Sequence, residues 1–260
     1  MDFKIYKEPQ LRDPYMVTGL PGIGYVAKIS ADYLIEGLKA ELFEELYSPA
    51  FPPYVLIGKD GTVELLRNEF YYWKNERSKN DLIIFTGNVQ ALTPEGQYEV
   101  AKEVLNRAER FKVKKLFTMA AYVTNKPITK PKVYGAATHV ELLEELKRYG
   151  VIQMDVGGIS GTNGLIFGLA KLKNIPAVCL LSETPGYVTP SGQTVIDQRA
   201  AQSLLEVLCK VLEIEIDLKP MEERVKFTEE LIRQLEEKEK YWREVIRKAT
   251  TPTPPKDIYF

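Results

Sequence analysis

Short apolar runs alternate with amphipathic stretches through the first two thirds of the chain, and that order leaves few architectures open. YMVTGL (15–20) reads as a strand that stops at Pro21, and after GLPGIG the residues Val26 to Leu38 carry helical periodicity. DLIIFTG (81–87) is apolar without a break, as a parallel strand covered on both faces must be. It leads to a helix capped by Thr93, with Pro94 at the first helical position, that runs to about Phe111. KKLFTMAAY (114–122) follows as a core strand, then the helix VELLEELKRY, where Thr138 and Glu141 have capping-box spacing and Gly150 suits a left-handed stop. VIQMDVGG, a glycine-rich turn, a helix through about Leu172, the strand PAVCLL (176–181) and a helix from about Val195 to Leu212 complete the series. Such regular alternation predicts a three-layer α/β/α sandwich with a mostly parallel sheet over residues 1–218.

A β-rich stretch interrupts the series. YVLIG and TVELL flank the hairpin turn Lys59-Asp60-Gly61, and EFYYW follows as a possible third strand. Phe70 and Tyr72 fall on one face of that strand, Tyr71 and Trp73 on the other. Two accounts fit equally: both sets pack in the core, or one set waits for a second copy, with AFPPY (50–54) enlarging the apolar surface.

Beyond Pro220 the texture changes. Met221, Val225, Thr228, Ile232, Leu235, Glu239, Trp242 and Ile246 follow alternating steps of four and three, a heptad seam with polar interruptions. Glu222–Lys226, Glu229–Arg233, Glu236–Lys240, Glu239–Arg243 and Glu244–Lys248 are acid-first pairs at the spacing that supports a helix. One long helix over residues 219–248 is the expectation, either packed back on the body or projecting from it. Pro252, Pro254 and Pro255 then impose an extended tether over residues 249–260.

Composition removes several classes of function. A formal net charge of -1 lacks the basic excess that a general nucleic-acid or anionic-membrane binder needs. No apolar run approaches the ~20 residues that span a bilayer, and MDFKIYKEPQ lacks a signal-peptide layout, so a cytoplasmic protein is expected. Cys179 and Cys209 sit in apolar surroundings and read as buried free thiols. His139 is the only histidine, which rules out a two-histidine metal site; it sits at a helix start, where solvent exposure accounts for it.

Two glycine-rich segments join strand to helix. GLPGIG, with Gly19, Gly22 and Gly24, has neither dinucleotide nor P-loop spacing, and tight turns account for its glycines. GGISGTNG, with Gly157, Gly158, Gly161 and Gly164, places Ser160, Thr162 and Asn163 where they can cap a helix, and its N–H groups could hold an anion. Ser160 lacks the G-x-S-x-G elbow of a nucleophile. Asp155, Glu183, Asp197 and Arg199 would make a carboxylate site if strand ends brought them together. No catalytic residue, metal or cofactor is assigned.

The chain finishes with Ile258, Tyr259 and Phe260, which put an aliphatic group and two aromatic rings beside a terminal carboxylate. Carried on a proline tether, they are equipped for capture of a chain end in a pocket. This ending resembles the hydrophobic-Tyr-any motif by which proteasome activators and some assembly chaperones insert their C-termini between neighbouring α subunits of the core particle. GLPGIGYVAK and GGISGTNGLIFGLAK resemble the two glycine-rich motifs of the proteasome assembly chaperone 2 family, in particular its archaeal members, over about residues 10–215. The resemblance implies an α/β/α fold related in shape to nucleoside phosphorylases, a homo-oligomer (tetramer or pentamer), and core-particle binding through Ile258, Tyr259 and Phe260. Two other readings stay open: a phosphorylase- or hydrolase-like enzyme that uses the glycine-rich loops, and a scaffold that holds another protein along the long helix.

Overall fold

A computed structural model describes residues 1–124, 128, 130–188, 192 and 194–250. The chain begins with β1 (Asp2–Ile5), β2 (Tyr15–Gly19), α1 (Val26–Leu38), β3 (Glu41–Tyr47), β4 (Val55–Ile57), β5 (Val63–Leu65), β6 (Asn68–Trp73) and β7 (Leu82–Gly87). It continues with α2 (Pro94–Arg110), β8 (Lys115–Val123), β9 (Val133–Ala137), α3 (Val140–Lys147), β10 (Ile152–Gln153), α4 (Gly161–Leu172), β11 (Ala177–Thr184), α5 (Gln198–Leu212) and α6 (Lys219–Thr250). Among the described residues nine strands form one sheet in the order β1-β3-β6-β7-β2-β8-β11-β9-β10, while β4 and β5 stand apart as a hairpin.

The centre of the sheet, β7-β2-β8-β11, is parallel. These are the apolar runs read from the sequence, and each is buried on both faces, with Leu82 to Gly87 wholly so. Helices α1 and α5 cover one face, and α2 and α4 the other, which gives the three-layer sandwich. At the flanks β3 and β6 pair antiparallel, β6 joins β7 antiparallel, and β9 lies between β11 and β10, antiparallel to the first and parallel to the second.

Strands β1, β3 and β9 have no counterpart in the sequence reading. In β3 the reason is chemical: ELFEELY places Glu44 and Glu45 at buried positions, so its pattern is not that of an apolar strand. Arg107 of α2 makes this possible. Its guanidinium lies 2.6 Å from Glu44, 2.5 Å from Glu103 and 3.9 Å from the centre of the Phe3 ring. Glu45 is paired with Arg67 at 3.0 Å and accepts from the Tyr6 and Tyr47 hydroxyls at 2.9 Å each. Both carboxylates are thereby compensated where burial would otherwise be costly.

Helix α2 has the predicted cap, with Thr93 accepting from Gly96 N at 3.1 Å. The proposed Thr138–Glu141 capping box does not form. His139 occupies the N-cap position with no side-chain cap bond, and the Thr138 hydroxyl instead accepts from Ala177 N at 2.9 Å. Gly150 takes the left-handed conformation, φ 80. Helix α5 starts at Gln198, with Asp197 accepting from Ala200 N at 3.1 Å.

The aromatic strand β6 leaves neither face bare. Phe70 meets Phe85 at 4.6 Å and Phe43 at 6.0 Å in tilted ring contacts within the α2/α4 layer, while Tyr71 and Trp73 pack against the α1/α5 layer. The account that left one aromatic set waiting for a second copy therefore fails here, and core packing explains the motif.

Replacing Arg107 by Met strands the Glu44 carboxylate in the interior and should cost about 3–5 kcal/mol in denaturant unfolding. Adding Glu44→Leu should recover most of that loss. An unaffected single variant would show that β3 is not held by this pair.

Candidate functional site

Helix α6 is the element that leads to the chain end, and its two halves have different surroundings. Met221, Thr228 and Ile232 are buried, and Val225 packs with Met221 beside α1 and α5. The Thr228 hydroxyl donates to Arg224 O at 3.0 Å, which satisfies a buried polar group inside the seam. The Arg224 guanidinium lies 5.7 Å from the centre of the Tyr33 ring on α1. From Glu237 onward every described side chain is exposed, including Tyr241, Trp242 and Ile246. The heptad seam thus packs on the body as far as Ile232 and then runs out into solvent, so the helix does both things that its pattern allowed.

Arg233 reaches Glu230 at 2.8 Å and Glu237 at 3.0 Å, so the predicted Glu229–Arg233 pairing is not made. On an exposed helix such bridges contribute only tenths of a kcal/mol each. Helix α6 extends through Thr250, the position before the residue that precedes Pro252. Its span from Leu235 to Thr250 is about 22 Å at 1.5 Å per residue. The proline tether and Ile258, Tyr259 and Phe260 lie outside the described residues.

The two glycine-rich segments meet at the C-terminal ends of the central strands. Gln90, in the loop after β7, joins them: its Nε2 donates to Pro21 O, and its Oε1 accepts from Thr162 N at 2.8 Å. Asn163 adds a reciprocal pair, donating to Leu20 O and accepting from Leu20 N, both at 3.3 Å. Gly24 O accepts from Asp197 N at 2.9 Å, which ties the first loop to the start of α5. The Leu20 and Thr162 donors are therefore already taken by protein groups, and among the described residues no lysine or arginine bonds at the Gln90 and Asn163 contacts. This arrangement suits a structural seam better than an anion cradle.

The glycines differ in what they must do. A Cβ at Gly19 would lie 2.3 Å from Ala27 O, and at Gly164 2.1 Å from Ile159 O. Gly24 and Gly161 have φ of 62 and 78. At Gly22 and Gly157 a Cβ would make at most ordinary contact, and at Gly158 it would meet nothing within 4 Å. Ser160 holds the N-cap position of α4 without a side-chain cap bond, and Thr162 and Asn163 are buried, with Asn163 turned to the seam.

The remaining candidates disperse. Asp197 accepts from the Thr184 hydroxyl at 2.9 Å and lies 3.4 Å from Arg199, serving the α5 cap. Glu183 accepts from Lys132 N and from the Tyr134 hydroxyl, each at 3.0 Å. Burial, followed by that carboxylate, raises the Tyr134 pKa above its ordinary value. Asp155 is exposed. His139 is exposed, with its Nδ1 2.8 Å from the Thr138 hydroxyl. Burial pushes Cys179 and Cys209 up to about 12, so neither thiol is ionised at neutral pH. Among the described residues no cluster of His, Cys, Asp or Glu is arranged to hold a metal ion, and no helix is long and apolar enough to cross a membrane. An open cleft of about 1150 Å³ between the Lys74–Arg77 loop and the end of α5 has a mixed lining that includes Trp73, Glu206, Cys209 and Lys210.

Sequence reading missed Gln90 and took Asn163 for a possible helix cap, because their partners lie 69 to 143 residues away, where no local spacing records them. Gln90→Ala should lower stability by about 1–3 kcal/mol through the stranded Thr162 donor and a loosened seam. In thermal unfolding Gly164→Ala should be strongly destabilising and Gly158→Ala silent. The reverse order would contradict the assigned roles.

A sequence profile of the PAC2 family matches residues 16–236. The chain is 38% identical over 248 residues to the uncharacterised protein MJ1210 of Methanocaldococcus jannaschii, covering 95% of this chain and 91% of that protein. Among solved structures it is similar to Pyrococcus furiosus PbaB, described as an archaeal proteasome activator. The TM-score is 0.82 at 38% identity, covering 90% of this chain and 98% of PbaB. Pyrococcus furiosus PbaA, described as an archaeal homologue of proteasome-assembly chaperone, matches with TM-score 0.72 at 27% identity over 95% of this chain and 97% of that one.

Proposed function

This chain belongs to the PAC2 family, and on that premise we propose that it is an ATP-independent, non-enzymatic factor that binds the proteasome core particle. The observation that carries the reading is the likeness to PbaB, an archaeal proteasome activator, across 90% of this chain at 38% identity. In this reading the contact is made by Ile258, Tyr259 and Phe260, inserted into pockets between neighbouring subunits of the α ring. The Phe260 carboxylate pairs with a basic pocket group, the Tyr259 hydroxyl hydrogen-bonds within the pocket, and Ile258 buries beside them.

The anchored and free halves of α6 support this division of labour. The first half fixes the helix to the body, and the second carries the chain outward before ten further residues extend the reach by up to about 35 Å. One docked tripeptide is a small contact. Several tails on a homo-oligomer engage together, so that weak individual binding becomes useful through effective concentration. Docking of this kind opens the gate of the core particle, assists its assembly, or does both, and the place of action is the cytoplasm.

Peptide hydrolysis by latent core particles separates the tail from the body. Full-length protein should stimulate hydrolysis, a chain lacking residues 258–260 should not, and Tyr259→Phe should fall well below the full-length chain. Equal stimulation by all three would remove the tail from the mechanism.

A further inference from the structure

Helix α6 leaves the body at a single turn. Met221, Thr228 and Ile232 are 0%, 3% and 3% exposed, and after Ile232 no described side chain is buried. The Arg224 guanidinium, 5.7 Å from the centre of the Tyr33 ring, holds the covered half against α1. From Ile232 to Thr250 the helix is an unsupported arm of about 27 Å, so a tilt of ~10° at Ile232 displaces its far end by about 5 Å.

A charge network straddles this exit. Arg233 donates from Nε to Glu230 Oε2 at 3.1 Å and from Nη2 to both Glu230 oxygens at 2.8 and 2.9 Å, a grip on the last turn that the body holds. Its Nη1 donates to Glu237 Oε1 at 3.0 Å, on the first turn that is free. Gln234 Nε2 adds a bond to Glu230 Oε1 at 2.9 Å. One guanidinium thus ties the turn before Ile232 to the turn after it.

A helix with nothing packed on it gains little stability in water, because its first turn is costly to form and packing supplies most helical stability in proteins. The covered half of α6 provides that first turn, and each later turn of the arm holds by local forces alone. Exposed ion pairs are weak one by one, so their placement matters more than their sum. These sit where a break would release the whole arm. With α6 intact the tether is residues 251–260, ten residues, and with α6 broken at its exit it becomes residues 233–260, 28 residues. Effective concentration falls roughly as the 3/2 power of tether length, so each further tail of an assembled factor would meet its pocket at about one fifth of the concentration.

We propose that Ile232 and Arg233 are positioning residues for the chain end. The buried anchor and the Glu230–Arg233–Glu237 bridge keep the arm helical and aimed, and so set how readily several tails engage one partner. The inference rests on the tail docking of the proposed function, and adds that delivery depends on a stiff arm rather than on the tether alone.

Titration of latent core particles with the full chain, read as peptide hydrolysis, tests it. Ile232→Gly with Arg233→Gly removes anchor and bridge and disfavours helix at the exit. It should raise the half-maximal concentration about fivefold, with maximal stimulation and cooperative unfolding of the body kept. Ile232→Val with Arg233→Lys should match the unaltered chain. Arg107→Met, which weakens the body without touching α6, should leave the half-maximal concentration unchanged, as a role in stability alone would not. Should the glycine variant not fold, amide exchange of the unaltered protein decides: residues 234–246 should exchange at least about tenfold more slowly than an unstructured chain. Exchange at the unstructured rate, an unshifted half-maximal concentration in a folded glycine variant, or an equal shift for Arg107→Met would each overturn the proposal. Full stimulation by a chain lacking residues 258–260 would instead remove the docking itself, and the proposal with it.

Discussion

A strand that is apolar on both faces has one stable place, between two layers that exclude water, and Leu82 to Phe85 form such a strand. The rest of the body follows from covering it and its parallel neighbours twice. Helices α1 and α5 complete one layer, and α2 and α4 the other. The antiparallel flanks lengthen the sheet, and at one flank the buried carboxylates of Glu44 and Glu45 are accepted only because Arg107 and Arg67 meet them. Crossovers that return to parallel strands bring their loops to one end of the sheet, and there Gln90 and Asn163 bind the two glycine-rich segments into one seam.

That seam bears on function by what it consumes. Loops that look fit to cradle an anion have their Leu20 and Thr162 donors turned inward, and the remaining polar candidates serve as caps and strand clamps. Among the described residues no cluster of His, Cys, Asp or Glu is arranged to hold a metal ion. The apolar side chains left exposed include those of the second half of α6 and of the β4–β5 hairpin. The chain's likeness to an archaeal proteasome activator and to a proteasome-assembly chaperone homologue is consistent with a protein that works by contact.

What the sequence disclosed and what it hid divide along physical lines. Continuous apolar runs marked β2, β7, β8 and β11, and the Thr93 cap with Pro94 marked the start of α2, because those signals are local. Strand β3 stayed hidden because its buried glutamates contradict the pattern unless the arginines 22 and 63 residues away are known. Thr138 had the spacing of a cap, yet a backbone group from β11 competed successfully for its hydroxyl. The heptad seam of α6 was legible as a pattern, but not the point after Ile232 at which the body ceases to cover it. Ile258, Tyr259 and Phe260 were read from the sequence as a docking motif, and they lie outside the described residues, which stop at Thr250.

The central claim is that a chain end, carried outward on a helix half anchored and half free, occupies pockets of the core-particle α ring. Electron cryo-microscopy of the full-length protein bound to the core particle tests it most directly. Density for the last three residues between adjacent α subunits, with the body held away from the ring, is the predicted result. A bound body with those pockets empty, or tails buried in their own subunits, would contradict it.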